Sequence, residues 1–142
     1  MVPITSFPEW PVTDGILKPS LKEKAIKEKL TNCYFFEPMN KNDLAEFIKK
    51  HIHLGILSLD DIPAFYNGTS PNKFFDYLAS GLPIINNYPG WLGKVIENNN
   101  CGINVKPNDA KDFARALIKI ADNPSLCRSM GINSRRIAKT KF

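Results

Sequence analysis

The segment of residues 68–76 combines the residue types of this sequence that are best suited to bind an anion. Ser70 followed by Pro71 is typical of a helix start, with the serine as N-cap and the proline at the first helical position. The first amides of a helix have no internal partner and its dipole is positive there, so a diphosphate is a natural ligand. Asn72 and Lys73 add a donor and a positive charge at the same end. A capped helix with a solvated lysine is an equally good interpretation.

Asp76 lies one turn into this predicted helix, among aromatic and apolar residues. A lone carboxylate is costly to bury unless it is paired or hydrogen-bonded. A vicinal diol, as in ribose, would supply two hydroxyl donors, whereas an exposed acid on the outer face is the alternative. Tyr66, in the preceding loop, is a candidate for stacking on a sugar or base because we expect its loop to face the same site.

Strands and helices alternate along the chain and must position this segment. Short apolar runs predict four strands, at residues 32–36, 54–59, 83–86 and 102–105. Periodic apolar residues predict helices that begin at Ser20, Asn40, Ser70, Gly90, Asp109 and Asn123, with Gly81 ending the third. This alternation indicates an α/β fold with a Rossmann-like, doubly wound parallel sheet and helices on both faces. Ligands of such sheets bind beyond the carboxyl ends of the strands, which favours the loops 37–40, 60–70 and 86–90.

The composition is that of one globular domain. The chain has 142 residues, 43% of them hydrophobic and 23% charged, and lacks any apolar run long enough to cross a bilayer. Four prolines predict that residues 1–19 are an irregular proline-rich segment with at most a short strand at 2–5, followed by a domain of residues 20–142. Without a signal-peptide pattern, we expect a cytoplasmic protein.

Cysteines, histidines and charges point to no metal and no nucleic acid. Cys33, Cys101 and Cys127 have no ligand spacing and are predicted to be buried or half-buried free thiols. The Asp60–Asp61 pair and the histidines at 51 and 53 are interpreted as solvated groups. The net charge is +5, with basic clusters at residues 18–29 and 128–141, but no nucleic-acid-binding signature accompanies them.

At the segment of residues 68–76 and the helix that follows, the sequence resembles family 4 of the glycosyltransferases. The resemblance is carried by residues 68–85 (GTSPNKFFDYLASGLPII), Gly90-Trp91, residues 100–103 (NCGI) and residues 107–109 (PND), and it covers about residues 14–142. The sequence is most similar to bacterial members that build capsular polysaccharide or O-antigen from N-acetylated amino sugars or their 6-deoxy relatives. This resemblance implies a GT-B fold of two Rossmann-like halves, with this chain as the C-terminal, nucleotide-sugar-binding half.

The resemblance also implies roles for individual residues. Asp76 takes the place of the acid that binds the ribose hydroxyls, and the main chain at 36–38 falls where the family contacts the base. The expected donor-binding residues are Phe36, Glu37, Pro38, Tyr66, Gly68, Thr69, Ser70, Pro71, Asn72, Lys73 and Asp76. Asn72 and Lys73 are the candidate catalytic residues, because a helix terminus and a basic side chain neutralise the leaving diphosphate. The implied reaction is retaining and uses a UDP-sugar as donor substrate, with no metal or other cofactor.

The sequence departs from the family at several points. Gly68 stands where a second acid contacts the sugar, and Asp76 is shorter than the usual glutamate. The basic residues that clamp the diphosphate lie upstream of residue 1 in the family, and the chain stops before the helix that crosses to the N-terminal half. The implied partners are therefore a nucleotide-sugar, a missing acceptor-binding half and a lipid-linked acceptor, with peripheral contact at the inner face of the membrane.

Two alternatives from other classes stay open. A truncated, catalytically inactive nucleotide-binding module would keep the fold of this half without the transfer reaction. A different doubly wound domain, such as a receiver or a flavin-binding protein, would share the alternation of strands and helices. A receiver requires acids clustered at the strand ends, which this sequence does not supply.

Overall fold

The computed structural model describes residues 17–142, and the predictions for residues 1–16 lie outside this part of the chain. The chain divides into two units, Met1–Glu46 and Phe47–Phe142. Helix α1, Lys18–Lys27, belongs to the first unit. Helix α2, Lys41–His51, spans the division between the two. The predicted domain boundary near residue 19 stays a prediction.

The N-cap of helix α1 is Leu17, three residues before the predicted cap at Ser20. Ser20 lies inside the helix, where its hydroxyl donates to the carbonyl oxygen of Leu17 at 2.9 Å, so its predicted role as N-cap is wrong. Pro19 occupies the first turn, where its missing N–H leaves no intrahelical bond unmade. Ala25 is the buried residue of this helix, whereas Ile26 is 78% exposed.

Residues 33–40 have no regular structure, so the predicted strand at 32–36 is wrong. A strand exists only beside a neighbour that satisfies its main chain, and the sheet of the described residues contains three strands that pair only with one another. Helix α2 then starts as predicted. The side-chain oxygen of Asn40 accepts from the amides of Asn42 and Asp43, at 3.1 and 2.9 Å.

The sheet of the second unit is parallel and has the order β1-β2-β3. Its strands are β1, Gly55–Leu57, β2, Ile84–Asn86, and β3, Gly102–Asn104. Each lies within a predicted apolar run but is shorter than that run. Strands β1 and β3 pair on either side of β2, which is buried along its whole length.

Neighbouring side chains of β2 point to opposite faces of the sheet, and each face is covered by helices. The helices are α3, Asn72–Ser80, α4, Trp91–Asn98, α5, Ala110–Ala121, and α6, Pro124–Thr140. Ile84 packs in a core with residues of α3, α4 and α6, which are Phe74, Leu78, Leu92, Ile96 and Ile137. Ile85 packs in a second core with residues of α5 and α6, which are Ala116, Ile120 and Met130. The predicted Rossmann-like sheet with helices on both faces is confirmed.

Several predicted helix ends are also confirmed. The carboxylate of Asp109 accepts from the amide of Asp112 at 2.9 Å, and the Asn123 side chain accepts from the amide of Leu126 at the same distance. Gly81 ends α3 in the left-handed conformation with φ 69°.

All three cysteines are free thiols, as predicted, but they differ in burial. Cys101 is buried and Cys127 half-buried, whereas Cys33 is exposed, contrary to the prediction. Burial raises the pKa of the Cys101 thiol to about 11, so this thiol is protonated at neutral pH.

Helices α3 and α6 meet at a close contact between Gly81 and Gly131. Glycine disfavours a helix interior, yet α6 continues unbroken through Gly131. A methyl group on Gly131 would overlap the main-chain oxygen of Gly81. One turn further along α6, the buried hydroxyl of Ser134 donates to the carbonyl oxygen of Leu82 at 2.7 Å. Glycine at position 131 therefore lets α6 approach the end of α3.

The substitution Gly131→Ala tests this contact, because helix propensity and packing predict opposite signs. Propensity alone would stabilise the chain by about 1 kcal/mol. The overlap with Gly81 must displace packed main chain, so we expect a net loss of about 1–3 kcal/mol in the free energy of unfolding, measured with urea. Ser129→Ala, at an exposed position of the same helix, is the control and should be nearly neutral. A more stable Gly131→Ala chain would contradict the close contact.

Candidate functional site

The amides at the start of α3 lie where the sequence predicts an anion site, but the helix begins one residue later than expected. Pro71 is the N-cap, with an extended ψ of 131°, and the Ser70 side chain makes no capping bond. The predicted cap at Ser70 is therefore wrong, because Pro71 is not yet helical. The amide of Phe74 bonds to the carbonyl oxygen of Pro71 at 3.0 Å. The amides of Asn72 and Lys73 have no acceptor within residues 17–142.

The side chains of Asn72, Lys73 and Asp76 are exposed on one side of α3. Residues three and four positions apart are neighbours on a helix surface, so all three lie around the same first turn. Phe74 and Leu78, on the other side, are buried in the core. Asp76 makes no hydrogen bond or ion pair with another residue of the described part. Its side chain is exposed, as in the second of the two predicted alternatives, an acid on the outer face of the helix. One surface at the start of α3 thus carries the carboxylate of Asp76, the ammonium group of Lys73, the carboxamide of Asn72 and two unpaired main-chain amides.

The loop of residues 58–71, which joins β1 to α3 and which we call the β1–α3 loop, contains a short 3-10 helix, Pro63–Phe65. Tyr66 follows it, with its ring packed edge-on against Tyr88 at a centroid distance of 5.2 Å. The hydroxyl of Tyr66 donates to the carboxylate of Asp61. This bond to Asp61 is the main cause that raises the pKa of Tyr66 to about 12. Asp61 is therefore more than the solvated group that the sequence predicted, because it accepts a hydrogen bond from Tyr66. The stacking role of Tyr66 stays a prediction.

Gly68 shows neither a positive φ nor a close neighbour. The loop therefore does not use the conformational freedom of a glycine at this position. A side chain added at position 68 would meet no atom within 4 Å. The space beside Gly68, where the resemblance expects an acid that contacts the sugar, is open.

The loop of residues 87–90, which joins β2 to α4 and which we call the β2–α4 loop, is tied directly to the β1–α3 loop. The amide of Leu59 donates to the side-chain oxygen of Asn87 at 2.9 Å, and the Asn87 side-chain amide donates back to the carbonyl oxygen of Leu59 at 3.0 Å. This side chain imitates a strand pair beyond the ends of β1 and β2. The sequence prediction missed Asn87, although a carboxamide directly after a buried strand was a usable signal.

Phe36, Glu37 and Pro38 belong to the first unit. The carboxylate of Glu37 accepts a hydrogen bond from Lys18 at 2.9 Å and lies 3.6 Å from the ammonium group of Lys22. This ion pair links the irregular segment to α1 and partly neutralises the first basic cluster. The predicted contact of residues 36–38 with a base stays a prediction.

Within residues 17–142, no group of three or more histidine, cysteine, aspartate or glutamate residues is close enough to hold a metal ion. His51, at the end of α2, packs its ring against Phe47 at 5.3 Å. The expectation that the reaction needs no metal stays a prediction.

Within residues 17–142, none of the helices has the length and apolar character needed to span a membrane.

The sequence model of the family described as "Glycosyl transferases group 1" matches residues 14–137. The chain belongs to this family. Among solved structures, the group 1 domain is similar to sucrose-phosphate synthase from Thermosynechococcus elongatus, with a TM-score of 0.73 and 19% sequence identity. The match covers 92% of this chain and 31% of that one, so the group 1 domain spans about a third of the length of this structural neighbour. No curated protein matches the chain significantly.

The likeness to this neighbour confirms the predicted fold of one half of a GT-B glycosyltransferase. The family match covers the whole described site, from the β1–α3 loop through the start of α4. Because α3 follows β1 of the parallel sheet, its unpaired amides, Lys73 and Asp76 lie at the edge formed by the carboxyl ends of the strands, where doubly wound folds bind their ligands.

Because of its hydrogen bond to Asp61, the hydroxyl of Tyr66 should ionise at a higher pH than that of an ordinary tyrosine. Because its pKa of about 12 in the folded chain lies above the ordinary value of 10, the bond stabilises the fold fully below pH 10 and is lost as the pH rises through about 12. NMR spectra of the labelled tyrosine ring carbons should show Tyr66 protonated above pH 10. Asp61→Asn should return its pKa towards 10, and Tyr66→Phe assigns the signal. Ionisation of Tyr66 near pH 10 in the unsubstituted chain would contradict the bond.

Proposed function

We propose that this group 1 domain binds the nucleoside diphosphate part of a UDP-sugar and presents the sugar for transfer. The observation that carries the proposal is the start of α3, where two unpaired amides lie beside Asn72, Lys73 and Asp76. An anion at this end of the helix would accept from both amides and interact favourably with the helix dipole. Lys73 supplies a positive charge at the same turn.

The leaving group of sugar transfer from a UDP-sugar is UDP, whose diphosphate gains negative charge as the bond to the sugar breaks. Donors that are already in position stabilise that charge at no cost of rearrangement. In this proposal, the amides of Asn72 and Lys73 and the ammonium group of Lys73 meet the diphosphate, and the Asn72 side chain adds a further donor. Both side chains are exposed and therefore accessible to a ligand.

Asp76 is proposed to bind the ribose. Its exposed carboxylate accepts hydrogen bonds only, so the two hydroxyls of a ribose diol are suitable donors. One helical turn, about 5 Å along the axis, separates Asp76 from the amides that would hold the phosphates. This offset agrees with the arrangement of ribose and diphosphate in one nucleotide.

The finer assignment follows from the resemblance to family 4. It gives a retaining, metal-independent transfer of an N-acetylated amino sugar in the synthesis of a bacterial surface polysaccharide. The open space beside Gly68 supports a donor sugar with a bulky substituent, because no side chain there fills the volume.

A second candidate is a nucleotide-binding module without transferase activity. It is favoured by Gly68, which leaves open the space where the resemblance expects an acid that contacts the donor sugar. Both candidates require UDP to bind, so a binding assay does not separate them. Transfer of sugar from a UDP-sugar to an acceptor by the full chain would exclude the second.

The predicted contact between Asp76 and the ribose is tested by pairing a protein substitution with a change in the ligand. Isothermal titration calorimetry would measure the affinities of the full chain and of Asp76→Ala for UDP and for dUDP, which lacks one ribose hydroxyl. Hydrogen bonds to a charged group are worth about 1.5–3 kcal/mol, so Asp76→Ala should bind UDP at least about tenfold more weakly. The unsubstituted chain should prefer UDP to dUDP, and Asp76→Ala should bind both equally.

The matched control is Asp122→Ala, which removes another exposed acid, at the end of α5. It should leave both affinities unchanged. An undiminished preference for UDP in Asp76→Ala would show that this acid does not bind the ribose. Absence of UDP binding to the folded, unsubstituted chain would overturn the proposed function.

Lys73→Met tests the contact with the diphosphate. Loss of the charge should weaken UDP binding about tenfold at low salt and leave the affinity for uridine unchanged, because uridine carries no phosphate. Lys119→Met, which removes an exposed charge in the last turn of α5, serves as the control. Equal losses for UDP and uridine would place Lys73 outside the phosphate site.

A further inference from the structure

Thr69 is held at two atoms by residues from the segment that follows β2. The indole N–H of Trp91 donates to the main-chain oxygen of Thr69 at 2.8 Å. The side-chain oxygen of Thr69 lies 3.1 Å from the hydroxyl oxygen of Tyr88, and either group can donate. Thr69 stands three residues before the first unpaired amide of α3. These two bonds therefore act directly on the main chain that leads into the proposed phosphate site.

Both partners of Thr69 are themselves fixed. Tyr88 is 3% exposed, and its main-chain N–H and C=O are both bonded to the side chain of Asn86, at 3.2 and 2.7 Å. Trp91 is the first residue of α4, and its ring packs edge-on against the buried ring of Phe74 at 5.7 Å. Because Phe74 belongs to α3 itself, Trp91 contacts that helix and the loop before it at the same time.

The two loops also touch at Gly90, in a way that admits no side chain. Gly90 has φ 96°, and a methyl group there would overlap the main-chain carbonyl of Tyr66. On the other side of the contact, the amides of Gly68 and Thr69 both bond to the carbonyl oxygen of Phe65, at 3.1 and 3.0 Å. The residues just before Thr69 are therefore a closed turn pressed against the β2–α4 loop.

We propose that Trp91 and Tyr88 are positioning residues, which hold Thr69 so that the first amides of α3 and Lys73 present a preformed surface to the diphosphate. The inference rests on the proposed function for its ligand, but the restraint itself requires none. Packing of Trp91 in the core does not account for the direction of its N–H, which points at a main-chain oxygen of the loop. A bond to the main chain fixes the loop whatever side chain stands at position 69.

Loss of the bonds to Thr69 should therefore weaken the binding of the diphosphate part of the nucleotide but not that of the nucleoside part. If the loop loosens, the phosphate surface loses its order and binding must also restore it, so the affinity for UDP falls. The affinity for uridine, which does not reach the phosphate surface, should not fall. A residue that only stabilised the fold would not separate the two ligands in this way.

The test uses the full chain and three substitutions. Trp91→Phe keeps an aromatic ring but removes the N–H, and Tyr88→Phe removes only the hydroxyl. Phe75→Leu is the matched control, since Phe75 packs against Trp91 with ring centroids 6.5 Å apart and makes neither bond. Two measurements are made on each chain. The first is hydrogen–deuterium exchange of residues 67–73 without ligand, and the second is calorimetry with UDP and with uridine.

Trp91→Phe and Tyr88→Phe should each speed the exchange of the Gly68 and Thr69 amides about fivefold, the equivalent of one hydrogen bond. They should weaken UDP binding by a similar factor and leave uridine unaffected, whereas Phe75→Leu should do neither. Unchanged exchange in both variants, or an equal effect of Phe75→Leu, would overturn the proposal. If the unsubstituted chain fails to bind UDP, the proposed function fails, and the exchange measurement alone decides whether these residues position the loop.

Discussion

The carboxamide of Asn86 is buried at the end of the central strand, and its bonds determine how the chain continues beyond the sheet. Its nitrogen donates to the carbonyl oxygen of Tyr88 at 2.7 Å and to the side chain of Asn104 at 3.1 Å, while its oxygen accepts from the amide of Tyr88. A buried polar group left unpaired costs about 1–3 kcal/mol, so these partners must stay in place. Asn104 in turn donates to the carbonyl oxygen of Gly93, which ties β3 to α4.

The geometry of the candidate site follows from this buried amide through a series of direct contacts between residues. Because Tyr88 is fixed, the β2–α4 loop offers a rigid surface on which the β1–α3 loop rests, and Asn87 joins the two loops at Leu59. The β1–α3 loop then leads into α3, whose first amides are unpaired and have Lys73 beside them. Both loops follow strands of one parallel sheet, so the positive end of α3 lies at the edge where ligands of this fold class bind. The proposed anion-binding surface is thus built on a common type of parallel sheet.

The sequence predicted most features that depend on nearby residues, apart from the caps at Ser20 and Ser70, and it failed where distant residues decide. Helix ends at Asp109, Asn123 and Gly81 depend on bonds within a few residues, and all three are confirmed. The strand predicted at 32–36 had suitable residues but needed a neighbouring strand, which its own sequence cannot supply. Only the fold reveals that the N–H of Trp91 meets a loop residue 22 positions earlier in the chain. The predicted site residues of α3 are found together, while their chemical roles remain open to experiment.

In the proposed function, UDP binds at the start of α3. A titration of the full, nitrogen-15-labelled chain with UDP, followed by amide chemical shifts, tests it most directly because it locates the ligand without any substitution. We expect the amides of Asn72 and Lys73 to shift most, since a phosphate would become their first acceptor, and the amides of Thr69 and Asp76 to follow. The far ends of α5 and α6 should not respond. Saturable shifts centred away from the start of α3, or no shifts at millimolar UDP, would contradict UDP binding at this site.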